Sequence, residues 1–255
     1  MKKIFVTTSW DDGHKLDLKL AALLDKYGLK GTFYISRNYF GKESLEEDEI
    51  RRLSQKHEIG GHTLNHPDLT KISLADAKKE IEEGKMWLEN IVGKKVETFC
   101  YPGGFYNEEV AALVKNAGFI SARTVKKFEI KKPAERFLAG TTIHWYPFPF
   151  RKKDASRYLW RDLLRPIREG WGGLRNIGLP FSKYAGLEKM SRAVFDAALS
   201  RGDYFHLWGH SWEIEKYGLW SELEEFLKYI SRRSDCLYVT NGELIKQRNG
   251  NLDKI

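Results

Sequence analysis

Two short stretches of this chain have the residue types and spacing to hold a divalent metal with a base beside it. Residues 58–69, Glu-Ile-Gly-Gly-His-Thr-Leu-Asn-His-Pro-Asp-Leu, set His62 and His66 four positions apart. The approach through Ile59, Gly60 and Gly61 reads as a strand ending in a tight turn. Pro67 stands where a helical turn begun at His62 must stop, so both rings are expected to hang from one face of a short helical turn. By itself such a pair is also what two unrelated histidines look like. Near the N-terminus, the apolar run Ile4-Phe5-Val6 leads to Asp11 and Asp12, just before Gly13. Asp-Asp-Gly is ordinary turn chemistry too, but here it follows the first strand, and in α/β folds strand ends meet at one face where ligands bind. Two imidazoles and one carboxylate form a set that binds zinc or iron and leaves positions open. The second carboxylate is then spare for acid–base work.

The elements that must position these groups alternate along the chain. Leu16, Leu20, Leu23, Leu24 and Tyr27 recur at helical spacing over 15–27, and Gly28 and Gly31 bracket the turn into the β-rich run Thr32-Phe33-Tyr34-Ile35. A charged helix is expected over 46–56, and a long amphipathic one from the N-cap Ser73 to about Gly93. A strand at 97–101, a helix at 107–116 and extended segments at 118–123 and 137–143 follow. Helices over 188–200 and 219–230 flank a strand at 203–208 and precede Leu237-Tyr238-Val239. Strands alternating with helices of this length argue a parallel sheet covered by helices.

Composition fits one folded unit. A chain of 255 residues lies within the range of undivided barrels, so a single domain over 1–255 is expected. With 42% hydrophobic and 31% charged residues, a packed core is expected and disorder is not. Cys100 and Cys236 make no disulfide framework and read as buried thiols. No stretch has the length and apolarity of a transmembrane helix, and the run after Met1-Lys2-Lys3 is too short for a signal peptide. Cytoplasmic residence is the expectation, unless a leader has been removed.

On these residues the chain resembles the polysaccharide deacetylase family, carbohydrate esterases that include chitin, chitooligosaccharide and peptidoglycan N-acetylglucosamine deacetylases. The family's Phe-Asp-Asp-Gly stands here as Trp10-Asp11-Asp12-Gly13, and its His-Ser/Thr-x-x-His as His62-Thr63-Leu64-Asn65-His66. Phe99-Cys100-Tyr101-Pro102-Gly103-Gly104 occupies the place of Phe-Arg-x-Pro-Tyr-Gly, and a late strand is expected to supply His206-Leu207-Trp208-Gly209-His210-Ser211-Trp212-Glu213. The resemblance covers residues 3 to about 245 and implies an α/β fold, a distorted barrel of about seven strands. It implies that Asp12, His62 and His66 hold one divalent metal, zinc first, with cobalt, nickel or iron as alternatives. Asp11, unligated, takes a proton from the attacking water. His210 protonates the leaving amine, while His206, deeper on the same strand face, is structural. Tyr101, Pro102, Gly103, Arg123, Trp208 and Trp212 are the expected substrate contacts. The implied reaction removes the N-acetyl group from an amino sugar or glycan.

Two departures from the family pattern stand out. The arginine that pairs with the base aspartate is replaced by Cys100, so another cation must compensate, and Arg123 at the end of the next strand is placed to do so. The Asp-x-x-Asp-Trp block is missing, and Glu213 is the candidate to tune His210. Charge is uneven as well: Lys and Arg total 43 against 35 acids, a net charge of +8. Residues 151–176 hold eight basic residues against three acids, together with Trp160 and Trp171. This basic, aromatic insertion, at about 144–180, suits a phosphorylated or carboxylated glycan or contact with an anionic membrane surface. No nucleic-acid motif accompanies the charge, and nucleic acid is not expected. Alternative readings of the same scaffold are an amidohydrolase acting on a cyclic amide or on a formamido sugar linked to lipid phosphate, an Fe(II) oxygenase, and a glycan-binding module. Acetate, formate or ring opening, and oxygen uptake distinguish the catalytic ones.

Overall fold

The computed structural model describes residues 3–150 and 163–250. Its central strand is β1 (Ile4–Asp12), buried along almost its whole length. Alternation assigns its residues to two faces. Ile4, Val6 and Trp10 join the apolar layer shared with the helices, whereas Thr7, Ser9 and Asp11 belong to the polar interior. There His206 is held between the Thr7 hydroxyl (Nδ1, 2.5 Å) and the Ser9 hydroxyl (Nε2, 2.8 Å). A wholly buried imidazole with two hydroxyl partners is satisfied without charge, and burial and the nearby Arg123 push its pKa well below the usual value.

The remaining strands are β2 (Gly31–Ile35), β3 (Glu58–Gly61), β4 (Thr98–Cys100), β5 (Ser121–Arg123), β6 (Ile143–His144), β7 (Tyr204–Gly209) and β8 (Cys236–Tyr238). They lie in the order β5-β4-β3-β2-β1-β7-β6, with β8 paired to β1. Every ladder is parallel. β2 pairs with β1 from Thr8 onward and β8 pairs with Ile4–Val6, so the two share one edge of β1. The segment after β5 curls the sheet: Ala139 bridges to Arg123, and Ile143 and His144 pair with Leu207 and Trp208 of β7. The result is a distorted, helix-covered (β/α) barrel.

The helices are α1 (Asp17–Tyr27), α2 (Glu47–Leu53), α3 (Leu74–Val92), α4 (Glu108–Asn116), α5 (Arg165–Ile177), α6 (Leu187–Arg201), α7 (Ser211–Tyr217), α8 (Trp220–Ile230) and α9 (Asn241–Gly250). The Ser73 hydroxyl caps α3 by accepting from the Asp76 N–H at 3.1 Å.

Three expectations are corrected. The segment 137–143 is not one strand: Arg136–Leu138 is a 3₁₀ turn, Ala139 makes an isolated bridge to Arg123, and the strand is confined to Ile143–His144. The late strand stops at Gly209, and Ser211–Tyr217 is helical, so Trp212 and Glu213 lie on a helix's first turn. Gly60 and Gly61 form no turn but lie within β3, where a Cβ on Gly60 would stand 2.4 Å from the Tyr34 ring and one on Gly61 2.8 Å from Phe119. Both cysteines are buried free thiols. No helix among the described residues is long and apolar enough to cross a membrane.

Candidate metal centre and active site

Because all ladders are parallel, the C-terminal ends of the strands form one rim. Asp11 and Asp12 come from β1, His62 from just beyond β3, Cys100 from β4, Arg123 from β5, His144 from β6 and His210 from just beyond β7. Adjacent residues of a strand point to opposite sides, which would throw one of the two aspartates out of the barrel. Asp12 avoids this with a left-handed backbone, φ 82°, continued by Gly13 at φ 76°. Gly13 has no alternative, because a Cβ there would stand 2.6 Å from the Ile35 side chain.

The helical turn expected over 62–66 is absent. Thr63 and His66 take positive φ (67° and 55°), and the chain forms an irregular loop. Side chains hold it in place of helical hydrogen bonds. The Thr63 hydroxyl accepts from the His66 N–H at 3.0 Å, and Glu80 of α3 accepts from the N–H groups of Leu64 and Asn65 at 3.0 and 2.9 Å. Gly84 lets α3 approach so closely that a Cβ there would lie 3.0 Å from the Thr63 backbone.

This loop brings the Nε2 atoms of His62 and His66 each to 3.4 Å from Asp12 Oδ1. His62 Nδ1 lies 2.7 Å from the Cys100 carbonyl oxygen, which can only accept, so Nδ1 carries a proton and Nε2 is the nitrogen turned towards Asp12. The other Asp12 oxygen, Oδ2, accepts from the Trp212 indole N–H at 3.0 Å. Oδ1 is buried with no hydrogen-bond partner, an arrangement that costs free energy unless a cation completes it. Burial and then the charge on His62 push His66 down to about 4, so its imidazole is neutral and available as a ligand. Burial opposes a charge on His62, but Cys100 and Asp12 beside it raise its pKa well above the usual imidazole value, so a metal bound here would displace the Nε2 proton. With that proton gone, two imidazole nitrogens and one carboxylate oxygen around an unsatisfied buried atom fit a divalent metal such as zinc.

A second grouping, Asp11, His62 and Cys100, also brings three donor atoms together. It already contains a cation. Arg123 Nη2 donates to both oxygens of Asp11 and lies 2.9 Å from Cys100 Sγ. Both partners of the ion pair are almost wholly buried, with side chains 2% and 4% exposed. Burial opposes the charge on Asp11, but Arg123 outweighs it and lowers the carboxyl's pKa. The Cys100 thiol, raised by burial, stays protonated.

On the far side of Asp12, His210 places Nε2 3.8 Å from Asp12 Oδ2 and Nδ1 2.5 Å from Glu213 Oε2. Burial lowers the His210 pKa, but the Asp12 and Glu213 charges overcome it and bring it to about 9. Glu213 also lies 3.4 Å from His144 Nε2. The His144 ring stacks on Trp208 with centroids 3.9 Å apart, and burial pushes its pKa to about 4.

The triad opens into a cleft of about 780 Å³ lined also by Tyr39, Gly103, Lys127, Arg165 and Glu169. Of the expected substrate contacts, Tyr101, Gly103, Trp208 and Trp212 line it, whereas Pro102 and Arg123 do not. Tyr101 is buried and donates its hydroxyl to the Phe137 carbonyl (3.1 Å), and Pro102 is buried beside it. Trp208 is only 4% exposed, between His144 and the Arg123 guanidinium, and Trp212 is committed through its indole N–H to Asp12. The sequence reading missed His144, Tyr39, whose ring lies 4.3 Å from that of His66, and Lys127. His144 carried the signal that singled out His210, a histidine closing an apolar run, but on a strand of two residues. Of the basic insertion, residues 151–162, with Arg157, Trp160 and Arg161, lie outside the described residues.

Residues 1–122 match the family model described as polysaccharide deacetylase. A peptidoglycan-N-acetylglucosamine deacetylase of Bacillus cereus is 34% identical over 103 residues, 38% of this chain and 44% of that protein. The chain spans less than half the length of the curated relatives it matches. A solved Mycobacterium smegmatis protein of polysaccharide deacetylase type shares the fold, with a TM-score of 0.70 over 98% of this chain and 91% of that one, at 16% identity. A family 4 acetyl xylan esterase from Clostridium thermocellum, solved with a cobalt ion, gives 0.59 over 96% and 92% at 17% identity. The first 122 residues, just under half of the chain, thus carry the match to the polysaccharide deacetylase family, and the whole chain shares the fold of solved proteins of that type.

The buried pair makes a stability prediction. Arg123→Met leaves a buried carboxylate without its cation and should cost about 3–5 kcal/mol at neutral pH. Because Arg123 holds Asp11 below its unfolded pKa, the pair's contribution is complete above about pH 4 and is lost as the solution is acidified through the folded value. Urea denaturation of both proteins from pH 7 to pH 3 should show a deficit that shrinks only at the acid end. A deficit below about 1 kcal/mol, the range of an exposed pair, would contradict the buried geometry.

Proposed function

We propose that this chain is a divalent-metal-dependent hydrolase that removes the N-acetyl group from an amino sugar or glycan. Asp12, His62 and His66 are the metal ligands, Asp11 the base and His210 the acid. The observation that carries the reading is the different treatment of two neighbouring carboxylates. Asp12 presents an unsatisfied buried oxygen to two imidazole nitrogens, while Asp11 is held by Arg123 and kept out of that set. A divalent ion held there would supply Lewis-acid activation of a water and of the amide carbonyl. Arg123 keeps Asp11 ionised and oriented to accept the water's proton. Asp12 and Glu213 keep His210 protonated, so that it can give a proton to the leaving amine, which departs poorly as an anion. The family supports deacetylation of amino-sugar glycans, and the metal agrees with the cobalt-bound esterase.

The substrate's own charge follows from the cleft wall. Lys127 is half-buried beside Arg165, and Arg165 already pairs with Glu169 at 2.5 Å, which leaves one net positive charge on that wall. This favours an acylated amino sugar carrying phosphate or carboxylate over neutral chitin fragments.

Two experiments test this reading. Asp11→Asn should retain metal and lose turnover by about 10²- to 10⁴-fold, the usual cost of removing a general base. Glu213→Gln, by removing one of the charges that hold the His210 proton, should move the basic limb of kcat/KM to lower pH. Acetate release is the readout, and loss of metal from Asp11→Asn would mean that the two aspartates exchange roles. For the substrate, Lys127→Gln with Arg165→Gln should raise KM for an anionic N-acetyl sugar about tenfold or more, the value of one charge-assisted hydrogen bond. KM for a neutral one should change little. Equal effects on both sugars would remove the anionic preference.

A further inference from the structure

The rim holds a second two-histidine, one-carboxylate set besides the Asp12 triad. His144 at the end of β6, His210 beyond β7 and Glu213 in the first turn of α7 bring three donor atoms within 4.8 Å of one another. His144 Nε2 is buried, has no hydrogen-bond partner and lies 3.4 Å from Glu213 Oε2. Its ring cannot turn away cheaply, because it is stacked between Trp208 at 3.9 Å and Tyr146 at 5.2 Å. His210 faces two ways, with Nε2 towards Asp12 and Nδ1 on Glu213. All three residues are reachable: His144 lines both the metal cleft and an adjoining cavity of about 350 Å³, and Glu213 lines the latter.

We propose that His144, His210 through Nδ1, and Glu213 form a second divalent-metal site, filled when zinc or a similar late first-row ion is in excess, and that filling it inhibits the enzyme. Imidazole and carboxylate donors in this ratio suit zinc, cobalt, nickel or copper, whereas magnesium prefers all-oxygen surroundings. The site fills after the Asp12 triad for a structural reason. The triad's imidazole nitrogens already stand 3.4 Å from an unsatisfied carboxylate oxygen, whereas the 2.5 Å contact between His210 and Glu213 must open. Metal bonds of about 2.0–2.2 Å require a wider separation of the donors than that. The ion takes the Nδ1 lone pair and the carboxylate together, so the Nδ1 proton leaves to solvent and His210 loses its Glu213 partner. The inhibitory consequence rests on the reading of His210 as the acid. The site's existence does not.

Both parts are tested by adding zinc to the metal-free protein. Equilibrium dialysis with elemental analysis should find two ions per wild-type chain at high free zinc and one in His144→Phe, which keeps an aromatic ring against Trp208 but has no ligand nitrogen. Acetate release, each protein referred to its own rate at one equivalent of zinc, should fall about 10²-fold in wild type at saturation, the cost of losing a general acid. It should not fall in His144→Phe, nor in wild type given magnesium. If circular dichroism shows His144→Phe misfolded, His144→Gln takes its place. A single ion in wild type at every zinc concentration, or equal second-ion binding by wild type and variant, overturns the site. Two ions in wild type and one in the variant without zinc inhibition overturns the regulatory part. Two ions and one ion with no acetate release from any substrate would instead sink the proposed function and leave the site standing.

Discussion

Two carboxylates on adjacent residues, both buried, cannot share one counter-charge, and the rim is built around neutralising them separately. Asp11 continues the inward face of β1 and meets Arg123, while Asp12 turns through φ 82° and meets His62, His66 and Trp212. An unpaired buried charge would cost several kcal/mol, so neither arrangement is optional. The left-handed Asp12-Gly13 step, the positive-φ loop at Thr63 and His66, and the close approach of α3 through Gly84 are the backbone consequences. Each is a conformation the chain adopts only where surrounding contacts hold it.

The replacement at Cys100 becomes intelligible on the same terms. Cys100 and Arg123 are register partners in the β4–β5 ladder. A short thiol at the end of β4 leaves room for a guanidinium to reach across from β5, and the sulfur itself touches that guanidinium. The counter-charge for Asp11 is therefore supplied one strand over. The family's third block is altered, but the electrostatic requirement it serves is met. Glu213 similarly supplies His210 with a carboxylate, from the first turn of a helix that the sequence does not announce.

Much of this was legible in the sequence where local signals are strong. The helices over 17–27, 74–92 and 108–116 are written in apolar periodicity and in the caps Ser73 and Asn107. The metal-ligand candidates could be read because their residue types are chemically narrow and follow strands. The parts that were not legible depend on tertiary contacts. β6 is two residues long and exists only through its pairing with β7. α7 begins after His210 with no side-chain cap, so Ser211-Trp212-Glu213 reads as a continuing strand. The glycines at 60 and 61 suggest a turn until the rings of Tyr34 and Phe119 are seen to need their space. His62 and His66 do come together, but through a loop held by Glu80 and Thr63 in place of the expected helical turn.

The central claim is that the metal belongs to Asp12 and the base function to Asp11. Zinc-edge anomalous diffraction from crystals grown with one equivalent of zinc tests it most directly. The account predicts a single peak at about 2.0–2.2 Å from a carboxylate oxygen of Asp12 and from Nε2 of both His62 and His66, with Arg123 still bonded to Asp11. A peak ligated by Asp11 and Cys100, with the Arg123 guanidinium displaced, would contradict it.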